Sequence, residues 1–174
     1  MGLKGLLRFA IFAGALCLGG ALPAAQSDVD LAKSTVDRIL VVKSERKLYL
    51  LSAGKIVRTF DISLGLVPDG PKQREGDFRT PEGVYYIEAK NPASDYFLSL
   101  KISYPNERDR ARAREQGVDP GSQIMIHGLP NEPRYPANRY LGWDWTDGCI
   151  AVSNSDMVDL WLMTSVSTPI EIRP

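Results

Sequence analysis

A chain of 174 residues that is 44% hydrophobic is long enough to bury a sizeable core as a single domain. Its 21 Lys and Arg are matched by 21 Asp and Glu, so nothing in its charge supports nucleic-acid binding. One His and two Cys cannot supply the four nitrogen or sulfur ligands of a structural zinc site, which excludes that class of fold.

Residues 1 to 25 have the form of a secretory signal. Lys4 and Arg8 make a charged start, Phe9 to Gly20 an apolar run, and Ala21-Leu22-Pro23-Ala24-Ala25 a small-residue end. The run is shorter than the roughly 20 apolar residues a bilayer span needs, so the expectation is a removed peptide, a mature start near Gln26 and no integral membrane segment after processing. Removal takes away Cys17, Lys4 and Arg8, leaving 19 basic against 21 acidic residues (21 minus 2, and 21 minus 0). The expected location is exported and periplasmic.

Residues 26 to 37 read as a short polar lead-in to a domain covering 38–174. Arg38 to Lys43 is rich in β-branched residues and predicts a strand. Lys47 to Leu51 predicts a second, Ala53-Gly54 a tight turn, and Ile56 to Leu64 a third strand carrying Val57, Phe60, Ile62 and Leu64. Residues 65 to 83 are dense in proline and glycine and predict a long ordered loop, which in a compact domain tends to serve function. Strands follow at Val84 to Ala89 and Phe97 to Ile102. Glu107 to Gln116 has the charge mix of an exposed helix stopped by Gly117, its arginines serving a solvated face. Ile124-Met125-Ile126 predicts a short strand that delivers His127 to its end. Ile150-Ala151-Val152 continues from Cys149 as a strand, Ser153 or Asn154 caps a helix to about Met163, and Pro169 to Ile172 is a last strand. Many strands with two short helices predict a mainly β fold, a β-sandwich or open barrel.

Cys149 is the one cysteine left after processing, and His127, 22 residues before it, is the one histidine. An unpaired exported thiol has three explanations: catalysis, intermolecular pairing, or burial as a small apolar residue. A cysteine nucleophile works as the thiolate, and a neighbouring imidazolium is the group that stabilises it. Each member of the pair adjoins a glycine, Gly128 and Gly148, where backbone can approach a reacting carbonyl. The amides of Gly148 and Cys149 are candidate oxyanion donors. The imidazole needs a partner, either the Gly128 carbonyl or a carboxylate, Asp147 or Asp144.

His127-Gly128, a loop, and then Thr146-Asp147-Gly148-Cys149-Ile150 resemble the catalytic motif of the L,D-transpeptidase catalytic domains (YkuD-like). The resemblance extends to Lys47-Leu48-Tyr49-Leu50, to Ser63-Leu64-Gly65 and to the run from Lys72 to Tyr85, and so covers about residues 38 to 173. It implies a peptidoglycan-modifying enzyme without a cofactor. In it Cys149 attacks a stem peptide, expels the terminal D-alanine and holds a thioester that an amine or water resolves. His127 is the implied base and Gly128 its orienting carbonyl. Many members carry His or Arg before the Gly-Cys pair and Arg two residues after the Cys, whereas this chain has Asp147 and Ala151. The Asp-containing variant resembles a subgroup that holds both transpeptidases and enzymes hydrolysing links between peptidoglycan and attached protein.

Substrate-binding candidates are Thr146, Asp147, Trp143, Trp145, Arg139 and Arg79, with Arg134 beside them. The tryptophans suit a groove wall or core packing, and the arginines suit stem-peptide carboxylates or surface ion pairs. The 76–83 run reads as architectural, with Thr80 or Glu82 bonding backbone amides. The expected partners are peptidoglycan stem peptides and peptidoglycan-attached protein. A carboxypeptidase or endopeptidase on the same site, and a non-catalytic wall-binding module on the same fold, are the competing readings.

Overall fold

The computed structural model describes residues 1–2 and 36–174. The expected signal segment, Cys17 included, therefore lies outside the described residues apart from Met1 and Gly2. Backbone proximity divides the chain into Met1–Leu31 and Ala32–Pro174, and the fold below is that of the second unit. Among the described residues no helix is long and apolar enough to cross a membrane.

Apolar alternation builds the opening meander. β1 (Arg38–Val42), β2 (Lys47–Ser52) and β3 (Lys55–Asp61) pair antiparallel in sequence, with Ile39, Val41, Leu48, Leu50 and Phe60 turned into the core. Their second turn is the expected one: Ala53 and Gly54 both take positive φ, as a two-residue hairpin loop requires. β4 (Gly83–Ser94) runs five residues beyond the strand predicted from apolar pattern. That extension alternates poorly because it pairs with β5 (Phe97–Ile102) in a register broken by bulges. β6 (Met125–His127), β7 (Ile150–Ala151) and β8 (Pro169–Arg173) complete an eight-stranded open sheet in the order β3-β2-β1-β8-β4-β5-β6-β7. β4 bonds β8 through its first residues and β5 through its last, so one strand serves both halves.

Among the described residues three helices decorate this mainly β fold. α1 (Glu107–Gln116) sits where the charge mix predicts it, capped by Asn106 in a reciprocal box with Asp109 and ended by left-handed Gly117. α3 (Asn154–Met163) is capped by Ser153 and lays Met157 and Leu160 on the core beside β5. Between them α2 (Ala137–Tyr140) is a single turn that the proline-rich sequence gave no reason to expect.

The chain after β3 does more than leave the sheet. Ser63 and Ala151 exchange backbone hydrogen bonds of 2.8 Å in both directions, and Leu66 N–H bonds Thr146 O at 3.0 Å. These bridges tie the β3 edge to the segment carrying Cys149. The 65–83 loop is then fixed from within by two buried ion pairs. Lys43 Nζ reaches Glu82 at 2.7 Å and the carbonyls of Gly70 and Thr80 at 2.7 and 3.2 Å. Lys72 reaches Asp77 at 2.8 Å, and the Asp77 carboxylate also accepts the N–H groups of Gln73, Arg74 and Arg79. Burial alone would raise the pKa of Asp77, but Lys72 and those amides hold it below the ordinary carboxylate value. The Lys43 side chain is 3% exposed. Lys43→Ala is therefore expected to cost about 3 kcal/mol, since it strands a carboxylate and two carbonyls, and denaturant unfolding would show it as a lowered midpoint.

Candidate active site

β6 delivers His127 to the sheet's edge between Ser99 of β5 and Ala151 of β7. Its Nδ1 lies 2.7 Å from the Gly128 carbonyl oxygen. A carbonyl only accepts, so the proton is assigned to Nδ1 and Nε2 keeps its lone pair. Of the partners open to the imidazole, this is the one taken. Asp144 is held instead by Arg46 at 2.7 Å and by the Leu64 N–H at 2.8 Å, and Asp147 is exposed. Gly128 is locked too: its N–H is shared between Tyr96 O and Leu98 O, and a Cβ there would come within 2.6 Å of Asn154 Oδ1. The imidazole is buried, with the Tyr96 ring 4.5 Å and the Trp145 ring 5.7 Å from its centre. Burial pulls its pKa down to about 4, only partly offset by the Gly128 carbonyl.

Cys149 follows a backbone contortion that glycine makes possible. Gly148 has φ +130°, and a Cβ on it would stand 2.6 Å from Arg79 O. Thr146, 4% exposed, braces the turn by donating its hydroxyl to Cys149 O at 2.7 Å and accepting Gly148 N–H at 3.1 Å. Gly148 N–H is thus already bonded, whereas the Cys149 N–H has no hydrogen-bond partner among the described residues. The thiol points to a carbonyl, with Sγ 3.6 Å from Gln123 O, and Gln123 itself adopts positive φ. Burial raises the thiol pKa and Asp147 adds to it, while the Met125 backbone and Lys72 act the other way. The resting pair is consequently neutral, thiol and imidazole, where the sequence alone suggested a thiolate stabilised by imidazolium.

A cavity of about 500 Å³ holds both groups, together with Asp95, Tyr96, Gln123, Met125, Trp145, Thr146 and Asp147. A second, of about 440 Å³, runs along Lys72, Glu75 and Phe78. The two meet at Gln123, Asp147 and Cys149. Of the expected binding residues, Thr146, Asp147 and Trp145 are therefore at the thiol. Trp143 and Arg139 are not: the Arg139 guanidinium lies over the Tyr135 ring at 4.1 Å and the Trp143 ring at 5.6 Å, outside both cavities. Arg79 turns its side chain to Asp69 O, and its backbone is what approaches the site. Arg134 lines neither cavity.

Tyr96, Gln123, Met125 and Lys72 were missed by sequence reasoning. Tyr96 sits at the β4–β5 hairpin tip, which Asn131 staples by accepting Phe97 N–H and donating to Ser94 O, both at 2.9 Å. An aromatic residue in a turn was the available signal. The 65–83 loop carried its own: Thr80, fully buried, accepts Gly65 N–H at 3.1 Å, as its architectural reading anticipated, while Glu82 serves Lys43 rather than an amide. Among the described residues no cluster of three or more metal-ligating side chains exists.

Two tests follow from this geometry. Alkylation of Cys149 in the folded chain should rise with pH through a midpoint above the roughly 8.5 of a free thiol, and Asp147→Asn should lower that midpoint; a midpoint at or below the free value would contradict the neutral thiol. Ser99, fully buried opposite His127, has a hydroxyl with no partner among the described residues. Ser99→Ala should therefore raise stability by about 1 kcal/mol in a denaturant titration.

Comparison with known proteins bears on the family and the fold. The L,D-transpeptidase catalytic domain family, YkuD, matches residues 36–172. "Putative L,D-transpeptidase YafK" of Escherichia coli strain K12 is 41% identical over 91 residues, which are 51% of this chain and 32% of that protein. The chain thus spans about a third of the length of the curated relative it matches. Among solved structures, the helical cell shape determining protein Pgp2 of Campylobacter jejuni superposes with TM-score 0.57 at 25% identity, over 82% of this chain and 52% of that one. Bd1075 of Bdellovibrio bacteriovorus gives 0.54 at 27%, over 81% and 48%. From Xylanimonas cellulosilytica, an L,D-transpeptidase shares the fold at 17% identity and TM-score 0.51, over 80% of this chain and 61% of that one. With the family match running from before β1 to within a residue of the end of β8, the chain belongs to the L,D-transpeptidase catalytic domain family.

Proposed function

We propose that residues 38–174 form an exported, periplasmic acyltransferase that remodels peptidoglycan stem peptides through a thioester on Cys149. The observation that carries this reading is an imidazole locked by Nδ1–H to Gly128 O, its Nε2 lone pair free, in the same cavity as the thiol. Nε2 takes the thiol proton as Sγ attacks the stem carbonyl, which requires Sγ to leave Gln123 O. The neutral resting pair makes that transfer coincide with attack. The tetrahedral oxyanion is received by the Cys149 N–H, with Gly148 N–H joining once it leaves Thr146 Oγ1. Collapse breaks the amide bond, and His127 returns the proton to the leaving D-alanine nitrogen. An amine then attacks the thioester. Two cavities meeting at one sulfur suit two reactants, which favours transfer over simple cleavage. Thr146, Asp147 and Trp145 contact substrate in this reading.

Hydrolysis of the same thioester, shortening stems or releasing attached protein, is the second reading. Its support is Asp147, an exposed carboxylate on both cavities that can hold water at the acyl carbon.

Incubating sacculi and tetrapeptide muropeptides with the protein, followed by mass spectrometry, separates the two. New 3→3 dimers or exchanged terminal D-amino acids are expected, abolished in Cys149→Ala and reduced at least ~100-fold in His127→Ala. Shortened stems without dimers would establish the hydrolase. The acid limb of kcat/KM is expected near pH 4, because the buried imidazole stays an unprotonated base down to that value; a limb near the ordinary 6.5 of histidine would remove His127 from the role.

A further inference from the structure

The two peptide units that follow His127 are held differently. In the first, His127 O accepts the Val152 N–H at 3.0 Å, and the Gly128 N–H is shared between the carbonyls of Tyr96 and Leu98 at 3.1 and 3.2 Å. Both ends of that unit are therefore fixed by backbone. In the second, Gly128 O accepts Nδ1–H of the imidazole at 2.7 Å, and the Leu129 N–H donates to Asn154 Oδ1 at 2.8 Å. Among the described residues Asn154 is thus the one hydrogen-bond partner, apart from the imidazole itself, that sets the plane of this unit. Asn154 is free to serve there because Ser153 caps α3, accepting the Asp156 N–H at 3.1 Å. The missing side chain at Gly128 leaves it room, since a Cβ would stand 2.6 Å from Asn154 Oδ1.

The plane of that unit decides what the imidazole can do. A neutral ring carries one proton, and the group facing one nitrogen selects the state of the other. With the Gly128 carbonyl on Nδ1, the proton sits there and Nε2 is an acceptor. Turning the unit over would present the Leu129 N–H to Nδ1 instead. Nδ1 would then accept, the proton would move to Nε2, and no lone pair would face the thiol. Glycine at 128 puts no side chain in the way of such a turn.

We propose that Asn154 is a positioning residue: by anchoring the Leu129 N–H it keeps the Gly128 carbonyl on Nδ1, and so holds His127 in the tautomer able to take a proton from Cys149. The proposal rests on the thioester reading and adds to it a side chain that lines neither cavity at the thiol. Val152 and Asn154 both belong to the segment leaving Cys149, so the stretch that carries the nucleophile also orients its base.

Because the chain has a single histidine, the tautomer can be read directly. The full, untagged protein, labelled with nitrogen-15 in the imidazole and held near neutral pH, should show Nδ1 protonated and Nε2 bare by NMR. Asn154→Ala should mix the tautomers, drawing the two nitrogen shifts together, and lower kcat about 10- to 100-fold with KM unchanged. Asn154→Gln carries the same amide one methylene too far and should do likewise, which keeps the question answerable if the alanine variant does not fold. Asn154→Asp keeps an acceptor oxygen in place and should retain the Nδ1–H form. A folded Asn154→Ala or Asn154→Gln with the unsubstituted tautomer, an Asn154→Asp that loses it, or an effect confined to KM overturns the proposal. Failure of the parent reading looks different: Cys149 of the unsubstituted chain would gain no acyl mass from a donor tetrapeptide, while the tautomer still shifted in Asn154→Ala.

Discussion

The close passage of three backbone segments at Gly65, Phe78–Arg79 and Gly148 is the constraint on which the site depends. A Cβ on Gly65 would overlap the Phe78 carbonyl oxygen, and one on Gly148 would strike the Arg79 carbonyl oxygen. Only backbone without side chains packs at such distances. The result is that the turn before Cys149 is gripped by the 65–83 loop, whose own shape is set by Lys43–Glu82, Lys72–Asp77 and the Thr80 hydroxyl. A loop with little secondary structure is thereby tied down by ion pairs and a buried hydroxyl in place of a strand ladder.

From the other side Cys149 is held by sheet. The Ser63–Ala151 bridge and the parallel pairing of β6 with β7 bring two short strands, three and two residues long, into one layer. Strands that short are stable only because neighbours on both flanks supply their hydrogen bonds and the core beneath supplies Ile126 and Ile150, both fully buried. His127 and Cys149 reach one cavity as a consequence of this pairing, 22 residues apart in sequence.

Electrostatics then sets the state of the pair. The same burial that positions the imidazole and thiol penalises their charged forms, lowering one pKa and raising the other. A neutral thiol bonded to a carbonyl is less open to oxidation than a thiolate.

The sequence by itself determined the elements and the candidate pair of Cys149 and His127. Alternating apolar residues in β1, β2 and β5, the cap-and-glycine frame of α1, and one Cys with one His at glycine-flanked positions are local signals, readable because hydrogen-bond periodicity and chemical scarcity do not depend on distant contacts. The length of β4, the single turn of α2 and the β4–β5 bulges escaped, being decided by register with neighbours. So did the fate of the arginines and of Trp143, since a long side chain goes to whichever ring or carbonyl the fold brings near. Tertiary structure alone decided that Gly128 rather than a carboxylate orients His127, that Gly148 N–H is engaged by Thr146, and that Tyr96, Gln123 and Lys72 border the thiol. Each of these is a contact between residues remote in the chain or a choice among competing partners, and its energy exists only once the sheet has brought them within reach.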